Sequence, residues 1–198
     1  LGIIPRYKKD IPVSQLLVDK NLKSIIAEAF RSVRTNLQFI SNESGTKIAA
    51  VTSTISGEGK TFVAINLAGI VAYAGKKVIV IDLDMRKPKI HHGFNVENTN
   101  GVSTLLIGKD TIDNCIRHST FENLDFITAG PIPPNPSELI LSQKMNDILA
   151  YLKTKYDFIM LDNPPVGLVT DGITIIQKAD YPIYVFRSEY SKRNFVQN

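Results

Sequence analysis

Three short apolar runs stand out from an otherwise mixed chain of 198 residues. They occupy residues 48–51, 78–81 and 158–161, and polar or charged positions flank each of them. Continuous apolar runs of this length are typical of central parallel strands, because helices cover both faces of such a sheet. The pattern therefore predicts the core of an α/β fold.

Apolar positions at helical spacing separate these strands. They predict helices over residues 21–40, 62–74, 143–155 and 171–177, and a short helix over 101–107. Further strands are predicted over residues 124–128 and 181–186. Residues 130–136 form a proline-rich connector, after which Ser137 has the character of an N-cap. Strands alternating with helices predict a three-layer sandwich, in which helices lie on both faces of a mostly parallel central sheet.

A glycine-rich segment lies between the first predicted strand and the next helix. Its residues 53–61 read Ser-Thr-Ile-Ser-Gly-Glu-Gly-Lys-Thr. A loop of this kind binds phosphate through its backbone amides, the helix N-terminus and the lysine, here Lys60. The hydroxyl of Thr61 is placed to ligate magnesium. A Walker A loop begins with glycine where this chain has Thr54, so a glycine-rich turn before a core helix is the alternative.

Carboxylates follow the other two predicted central strands. Asp82 and Asp84 come after one run, and Asp162 comes after the other. Ligands of open α/β sheets sit at the carboxyl ends of the strands, so these aspartates should converge on Lys60. One acid at a strand end is commonly a turn or a helix cap. Two such strand ends beside a P-loop predict a magnesium–nucleotide site in a P-loop NTPase-like fold.

Composition narrows the class of protein. Hydrophobic residues make up 43% of the chain, charged residues make up 21%, and the formal net charge is +4. These values are ordinary for a soluble globular protein, and no apolar run is long enough to span a membrane. Cys115 is the single cysteine, which fits a reducing cytoplasm. Solvated surface explains the mild basic charge, so no nucleic-acid partner is expected.

The first predicted helix carries a polar patch beside its apolar stripe. Glu28, Arg31 and Arg34 follow one another at three-residue steps and therefore share one broad face of the helix. Such a face could meet a partner. The residues by themselves favour the alternative, a solvated face with an ion pair between Glu28 and Arg31.

Taken together, these motifs resemble those of the bacterial tyrosine kinases (BY-kinases) of capsule and exopolysaccharide synthesis. The family's motifs correspond here to residues 53–61 (Walker A), Asp82, Asp84 and Arg86 (Walker A′), residues 162–165 (Walker B), Glu28, Arg31 and Arg34 (the Glu-x-x-Arg-x-x-Arg helix), and residues 130–139 (Gly-x-x-Pro-Pro-Asn-Pro-x-Glu-Leu). All five occur in order over nearly the whole chain, which makes the resemblance specific.

The resemblance implies an ATP-dependent protein-tyrosine kinase that uses Mg²⁺. The residues it assigns to the nucleotide are Ser56, Gly57, Glu58, Gly59, Lys60, Thr61, Phe62 and Arg86. The residues it assigns to the metal are Thr61, Asp82, Asp84 and Asp162. Lys60 and the three aspartates are the expected catalytic residues. Asp82 is the candidate for steering the tyrosine proton and Asp84 for shaping the metal site, although the two aspartates leave the same strand end.

The resemblance also implies an assembly. Glu28, Arg31 and Arg34 become candidates for the contact between subunits of a homo-oligomeric ring, which reverses the solvated-face interpretation. A membrane activator of the polysaccharide co-polymerase type and a counteracting tyrosine phosphatase are the other expected partners. We expect the protein to work at the cytoplasmic side of the inner or plasma membrane, with this fragment itself soluble.

Autophosphorylation in this family targets a C-terminal tyrosine cluster on a neighbouring subunit, and that cluster is absent from this sequence. We therefore expect residues 1–20 to be an extended N-terminal segment and residues 21–198 to be one P-loop kinase domain, truncated before the cluster. The opening residues resemble the segment that follows a transmembrane helix in members fused to their activator.

Two other functions are compatible with the same motifs. One is a nucleotide-switched assembly ATPase that phosphorylates no protein, and the other is a non-catalytic regulator of a polysaccharide export complex. Related division and partition ATPases carry a signature lysine where this chain has Ile55, which argues against that branch. Ser56 and Asn163 also depart from the usual proline and threonine of the kinases, and we expect the site to tolerate both.

Overall fold

Strands and helices alternate along nearly all of the chain. The computed structural model describes residues 1–7, 16–18, 23–40, 44–167 and 171–192. The strands are β1 (Lys47–Ser53), β2 (Val78–Asp82), β3 (Arg117–His118), β4 (Leu124–Ile127), β5 (Phe158–Asp162) and β6 (Tyr181–Val185). The helices are α1 (Ile25–Ile40), α2 (Lys60–Tyr73), α3 (Ile90–Gly93), α4 (Val102–Leu106), α5 (Ile112–Cys115), α6 (Pro136–Ile140), α7 (Gln143–Lys153) and α8 (Asp171–Gln177).

The strands form one sheet with the order β3-β4-β2-β5-β1-β6. The neighbouring pairs β4–β2, β2–β5, β5–β1 and β1–β6 are all parallel. The two-residue strand β3 pairs with β4 in the antiparallel direction at the edge of the sheet. The three strands that the apolar runs predicted, β1, β2 and β5, lie side by side at the centre. Helix-covered central strands have no solvent-facing side, which explains why their sequences do not alternate.

The sheet has a separate apolar core on each face. Helices α1, α2 and α3 cover one face, and α4, α6, α7 and α8 cover the other. Phe30 of α1 and Phe126 of β4 are among the largest fully buried side chains of the first core. The predicted three-layer α/β sandwich is therefore confirmed. Among the described residues, no helix combines the length and the apolar character needed to cross a membrane.

Helix α2 is the most deeply buried helix of the sandwich. Apolar side chains occupy nearly all of its circumference, because the sheet lies on one side and α1 on the other. Asn66 is the polar exception in its middle, and its Oδ1 accepts hydrogen bonds from the backbone amides of Leu17 (2.8 Å) and Val18 (3.3 Å). This amide side chain ties residues 16–18 to the helix that begins at the nucleotide loop.

Several predicted element boundaries need correction. Helix α2 begins at Lys60 rather than at residue 62, because Gly59 supplies the turn that starts it. Ser137 is not an N-cap, since α6 begins at Pro136 with Asn135 in the capping position. The N-cap of this region is Ser142, whose hydroxyl oxygen accepts the amide of Met145 at the start of α7.

The predicted division of the chain at residue 20 stays a prediction. Residues 1–7 and 16–17 have no helix or strand, while residues 8–15 and 19–22 lie outside the described part of the chain. The same holds for residues 193–198 of the predicted polar tail.

Candidate active site

The loop between β1 and α2 has the backbone of a tight anion-binding turn. Gly57 and Gly59 take φ values of 96° and 97°, a region that side-chain-bearing residues rarely adopt. The carboxylate of Glu58 turns back into the loop, where its Oε2 accepts the amide of Ile55 at 2.8 Å. Gly59 occupies the N-cap position of α2. The first backbone amides of this long, buried helix therefore lie at the end of the loop.

Strand register brings the predicted acids to this loop. Strand β5 lies between β1 and β2, and Asp162 is level with Val51 on one side and with Asp82 on the other. Adjacent strands are about 4.8 Å apart, so the ends of the three strands share one edge of the sheet. The convergence predicted from the sequence is therefore present in the fold.

Lys60 is the charge at the centre of the site. Its Nζ lies 3.0 Å from Oδ2 of Asp84 and 3.2 Å from Oδ1 of Asp162, and only 8% of the side chain is exposed. Burial by itself lowers the pKa of Lys60. The negative charges of Asp162, Asp84 and Asp82 outweigh that effect and hold the pKa well above its usual range, so the ammonium stays charged.

Asp162 joins the lysine to the helix start. Its Oδ2 accepts a hydrogen bond of 2.6 Å from the hydroxyl of Thr61, while its Oδ1 faces Lys60. Burial raises the pKa of this carboxyl, and the positive charge of Lys60 and the Thr61 hydroxyl oppose that rise. Asp162 therefore positions both the ammonium of Lys60 and the hydroxyl of Thr61, the first two residues of α2.

Asp82 is held by backbone amides rather than by Lys60. Its Oδ1 accepts the amide of Asp84 at 3.1 Å, and its Oδ2 accepts the amides of Lys89 and Ile90 at 3.0 Å each. The residue is fully buried. Burial and the nearby charge of Asp162 raise the pKa of Asp82 to about 7, so this carboxyl can hold or release a proton near neutral pH.

Asp84 and Arg86 occupy different surroundings although only one residue separates them. Asp84 faces inward, with Oδ2 on Lys60 and with Oδ1 accepting the amide of Lys87 at 3.1 Å. Arg86 is exposed, and its guanidinium donates to the hydroxyl of Ser137 at 2.7 Å. This contact joins the Walker A′ turn to α6.

The oxygen atoms at the site fit a magnesium ion. Thr61 supplies a hydroxyl, Asp84 and Asp162 supply carboxylates, and such hard oxygen donors suit Mg²⁺. The side-chain oxygen of Asn163, next to Asp162, is buried without a hydrogen-bond partner. Within the described ranges, no three acidic, histidine or cysteine side chains form a cluster that could hold a metal ion.

The other predicted nucleotide residues divide into loop backbone and core side chains. Ser56, Gly57 and Gly59 lie in the loop itself. Phe62 directs its ring to the core, where it meets the ring of Phe30 with centroids 6.0 Å apart. The side chain of Glu58 stabilises the loop through its hydrogen bond with Ile55, so its carboxylate faces the protein.

The polar patch on α1 does not behave as one surface. Glu28 and Arg31 form the expected ion pair at 2.6 Å, with the Glu28 side chain 73% exposed. Arg34 turns inward instead, since its guanidinium donates to the carbonyl of Ile70 on α2 at 3.2 Å. Its Nε is buried without a hydrogen-bond partner. Of the three residues, only Glu28 is exposed, while Arg31 and Arg34 are both half-buried.

Sequence reasoning missed a contact between the end of the described chain and the nucleotide loop. Arg187 and Tyr190 donate to carbonyl oxygens of Gly57 and Ser56, each at 3.0 Å. The tail has no apolar pattern, and the partners are more than a hundred residues apart in sequence. Within the tail sequence, this contact was indicated only by several side chains that can form hydrogen bonds.

Comparison with known proteins identifies relatives of this chain. The AAA domain family model matches residues 46–194. The putative tyrosine-protein kinase CapB of Staphylococcus aureus is 40% identical over 190 residues, which cover 96% of this chain and 83% of CapB.

Solved structures are also similar to this chain. The chimerical protein CapA2B2 superposes with a TM-score of 0.90 at 38% identity, covering 100% of this chain and 84% of its own. The kinase domain of the Escherichia coli tyrosine kinase ETK gives 0.87 at 33% identity, covering 98% and 74%. The septum site-determining protein MinD of Pyrococcus horikoshii, complexed with Mg-ADP, gives 0.60 at 27% identity, covering 71% and 57%. This chain belongs to the bacterial tyrosine kinases of capsule and exopolysaccharide synthesis.

Proposed function

We propose that this domain transfers the γ-phosphoryl group of Mg-ATP to tyrosine hydroxyls on a neighbouring copy of the protein, and that this autophosphorylation regulates polysaccharide polymerisation and export. The observation that carries the proposal is the position of Lys60. A buried ammonium, whose pKa is held above its usual range, lies between Asp84 and Asp162 at the start of helix α2. Such a cation stabilises the charge that develops on a phosphoryl group in transfer.

The remaining roles follow from the surroundings of each residue. Thr61, Asp162 and Asp84 would hold Mg²⁺, which when bound neutralises phosphate charge. The amides of Gly57 to Thr61 would bind the phosphates. In the reaction, the bond from the γ-phosphorus to the oxygen of ADP breaks as the bond to the tyrosine oxygen forms. The tyrosine proton passes to a carboxylate.

Asp82 remains our candidate for that carboxylate. Its pKa, raised to about 7, suits a group that exchanges protons at physiological pH. Its oxygens accept the amides of Asp84, Lys89 and Ile90, which leaves acceptor capacity on Oδ1, but the residue is fully buried, so the turn after β2 has to open when the tyrosine arrives. Asp84, which lacks such a triple anchor, is the other Walker A′ candidate.

The assembly is proposed from exposure and from the relatives. The exposed Glu28, together with its ion-pair partner Arg31, would contribute to a contact between subunits of a ring, with Arg34 supporting α1 from below. A polysaccharide co-polymerase on the membrane would activate the domain, and a tyrosine phosphatase would reverse the reaction. The domain would then act at the cytoplasmic side of the inner or plasma membrane.

Phosphotyrosine analysis tests the proposed activity. The chain is incubated with Mg-ATP and a separate tyrosine-rich peptide, and the peptide is examined by mass spectrometry. Asp84→Asn keeps the size of the side chain but removes the negative charge that lies beside the Lys60 ammonium. Phosphorylation should therefore fall at least tenfold. The matched control is Asp147→Asn, an exposed aspartate on α7, which should leave the rate unchanged.

The outcomes separate the candidate functions. Phosphotyrosine that depends on Asp84 supports the kinase. Phosphate release without phosphotyrosine, even after the activator's cytoplasmic segment is added, would point to a nucleotide-switched assembly ATPase. Nucleotide-dependent rings without turnover would point to a non-catalytic regulator.

A further inference from the structure

The outer side of the nucleotide loop is covered by the segment that follows β6. Arg187 donates from Nη1 to the carbonyl of Gly57 at 3.0 Å, and the Tyr190 hydroxyl donates to the carbonyl of Ser56 at 3.0 Å. Ser191 donates its hydroxyl to the carboxylate of Glu58. Each of these donors meets an acceptor on a successive residue of the loop.

A further contact comes from the strand itself. The hydroxyls of Tyr184 and Thr54 are 2.8 Å apart, within hydrogen-bond distance. Thr54 is the residue that stands in place of the first Walker A glycine, so this departure provides a side chain that anchors the loop to β6. We call Tyr184, Arg187, Tyr190 and Ser191 the clasp.

The clasp fixes which way the loop amides point. The carbonyl of Ser56 and the amide of Gly57 belong to one planar trans peptide, in which the two groups point in opposite directions. A carbonyl held by Tyr190 therefore turns the Gly57 amide to the other side of the loop, and Arg187 does the same for the amide of Glu58. Amides arranged in advance bind phosphate without a further ordering cost.

Tyr190 packs closely on the loop and yet is accessible. A methyl group added at Gly57 would lie 2.7 Å from its hydroxyl, so glycine is needed there for the contact as well as for its positive φ. About half of the tyrosine is open to solvent, at 45% exposure, and the guanidinium of Arg187 lies 5.0 Å from the centre of its ring. A brief opening of this short turn would present the hydroxyl to another molecule.

We propose that Tyr190 is itself a phosphoryl acceptor, and that its phosphorylation opens the clasp and weakens nucleotide binding. The proposal rests on the proposed kinase function. A second copy of the chain supplies the catalytic site. The Tyr190 oxygen bonds to the γ-phosphorus of ATP, the bond to the oxygen of ADP breaks, ADP leaves, and the hydroxyl proton passes to a carboxylate of that copy.

Charge explains why the modified residue cannot return to its place. The hydroxyl donates one hydrogen bond, whereas a phosphate ester near neutral pH only accepts and carries about −1.5 to −2 charges. In the clasp it would face the carbonyl oxygen of Ser56. That oxygen is also an acceptor, so repulsion replaces attraction and the loop loses the contact that orients the Gly57 amide.

The first experiment asks whether the site is used. The whole chain is incubated with Mg-ATP and the tyrosine-rich peptide, and phosphotyrosine is mapped on both. Phosphate on Tyr190 in the wild type, and its loss in Asp84→Asn, supports the proposal. A phosphorylated peptide with unmodified Tyr190 overturns it and leaves the kinase function standing. No phosphotyrosine on either overturns both.

The second experiment measures nucleotide affinity with a fluorescent ADP analogue and Mg²⁺. Tyr190→Phe removes one hydrogen bond and should raise the Kd about fivefold. Protein phosphorylated on Tyr190 should bind more weakly than this variant. Tyr73→Phe alters an exposed tyrosine at the far end of α2 and should match the wild type. Equal affinities for the wild type, Tyr190→Phe and the phosphorylated protein would overturn the proposed coupling.

Discussion

Replacing Lys60 with methionine should destabilise the domain as well as stop phosphoryl transfer. Methionine keeps the length of the side chain and removes its charge. The Asp84 and Asp162 carboxylates, 3.0 and 3.2 Å from the ammonium, would lose their cation, while Asp82 remains buried beside them. The variant therefore leaves a buried cluster of like charges without a partner.

The expected loss follows from that burial. Removing one partner of a buried ion pair costs about 3–5 kcal/mol, because the other charge remains in a poorly solvated place. For a domain of this size each kcal/mol lowers Tm by about 2–4 °C, so the melting point should fall by roughly 6–20 °C. The domain should still be folded at room temperature, since typical stabilities are about 5–15 kcal/mol.

The loss should depend on pH in a definite direction. Without Lys60, the pKa values of the buried aspartates rise further above their unfolded values. A carboxyl whose folded pKa is raised binds its proton more tightly in the folded state, so stability is kept at low pH and falls as pH rises through the shifted pKa. The difference between variant and wild type should therefore be larger at pH 8 than at pH 5.

Thermal unfolding followed by circular dichroism, without nucleotide, measures this difference at both pH values. Lys153→Met is the matched control, because it removes an exposed lysine at the end of α7 and should change Tm by no more than a degree or two. Lys60→Met/Asp162→Asn should recover part of the loss. A Lys60→Met variant as stable as the wild type at pH 8, or equally destabilised at both pH values, would contradict the ion-pair argument.

Three further outcomes are expected. The pKa of Asp82, raised to about 7, should make the stability of the wild type without nucleotide fall as pH rises from about 4 to 7. Asp82→Asn should flatten this dependence in urea unfolding. An unchanged slope would show that another group causes it. Phe126→Ala removes a fully buried ring stacked on Phe94 with centroids 4.1 Å apart, and should lower the unfolding free energy by about 3–5 kcal/mol in the same assay; a loss below 1 kcal/mol would show that the core closes over the gap. Glu28→Ala breaks an exposed ion pair, so the isolated domain should lose less than about 1 kcal/mol while light scattering detects loss of the proposed ring; rings that persist would remove Glu28 from the contact.

The sequence predicted the centre of this molecule because burial leaves a strong local signature there. Strands β1, β2 and β5 are covered on both faces, so each appears as a continuous apolar run, and the candidate site residues Asp82 and Asp162 directly follow two of these runs. Gly57, Gly59 and Lys60, within the nine residues 53–61, predict that the loop after β1 binds phosphate. Motif order then identified the family without any knowledge of contacts.

Local pattern could not assign the partners of these polar residues. Asp82 and Asp84 follow one strand, yet one accepts three backbone amides and the other pairs with Lys60. Ser137 is of a residue type that often caps helices. Its hydroxyl instead accepts a hydrogen bond from Arg86, and the helix starts one residue earlier, at Pro136. In each case, the outcome depends on a backbone path that spacing along the chain does not encode.

The sequence by itself therefore determined the sandwich, the phosphate loop and the family, because hydrophobic periodicity and short motifs are local properties. Only the tertiary structure decided that Arg34 turns toward α2, that Asp82 is anchored by amides, and that Tyr190 lies on the nucleotide loop. The physical reason is that hydrogen bonds and ion pairs act over about 3 Å. Strand order and register, rather than distance along the chain, bring such groups within that range.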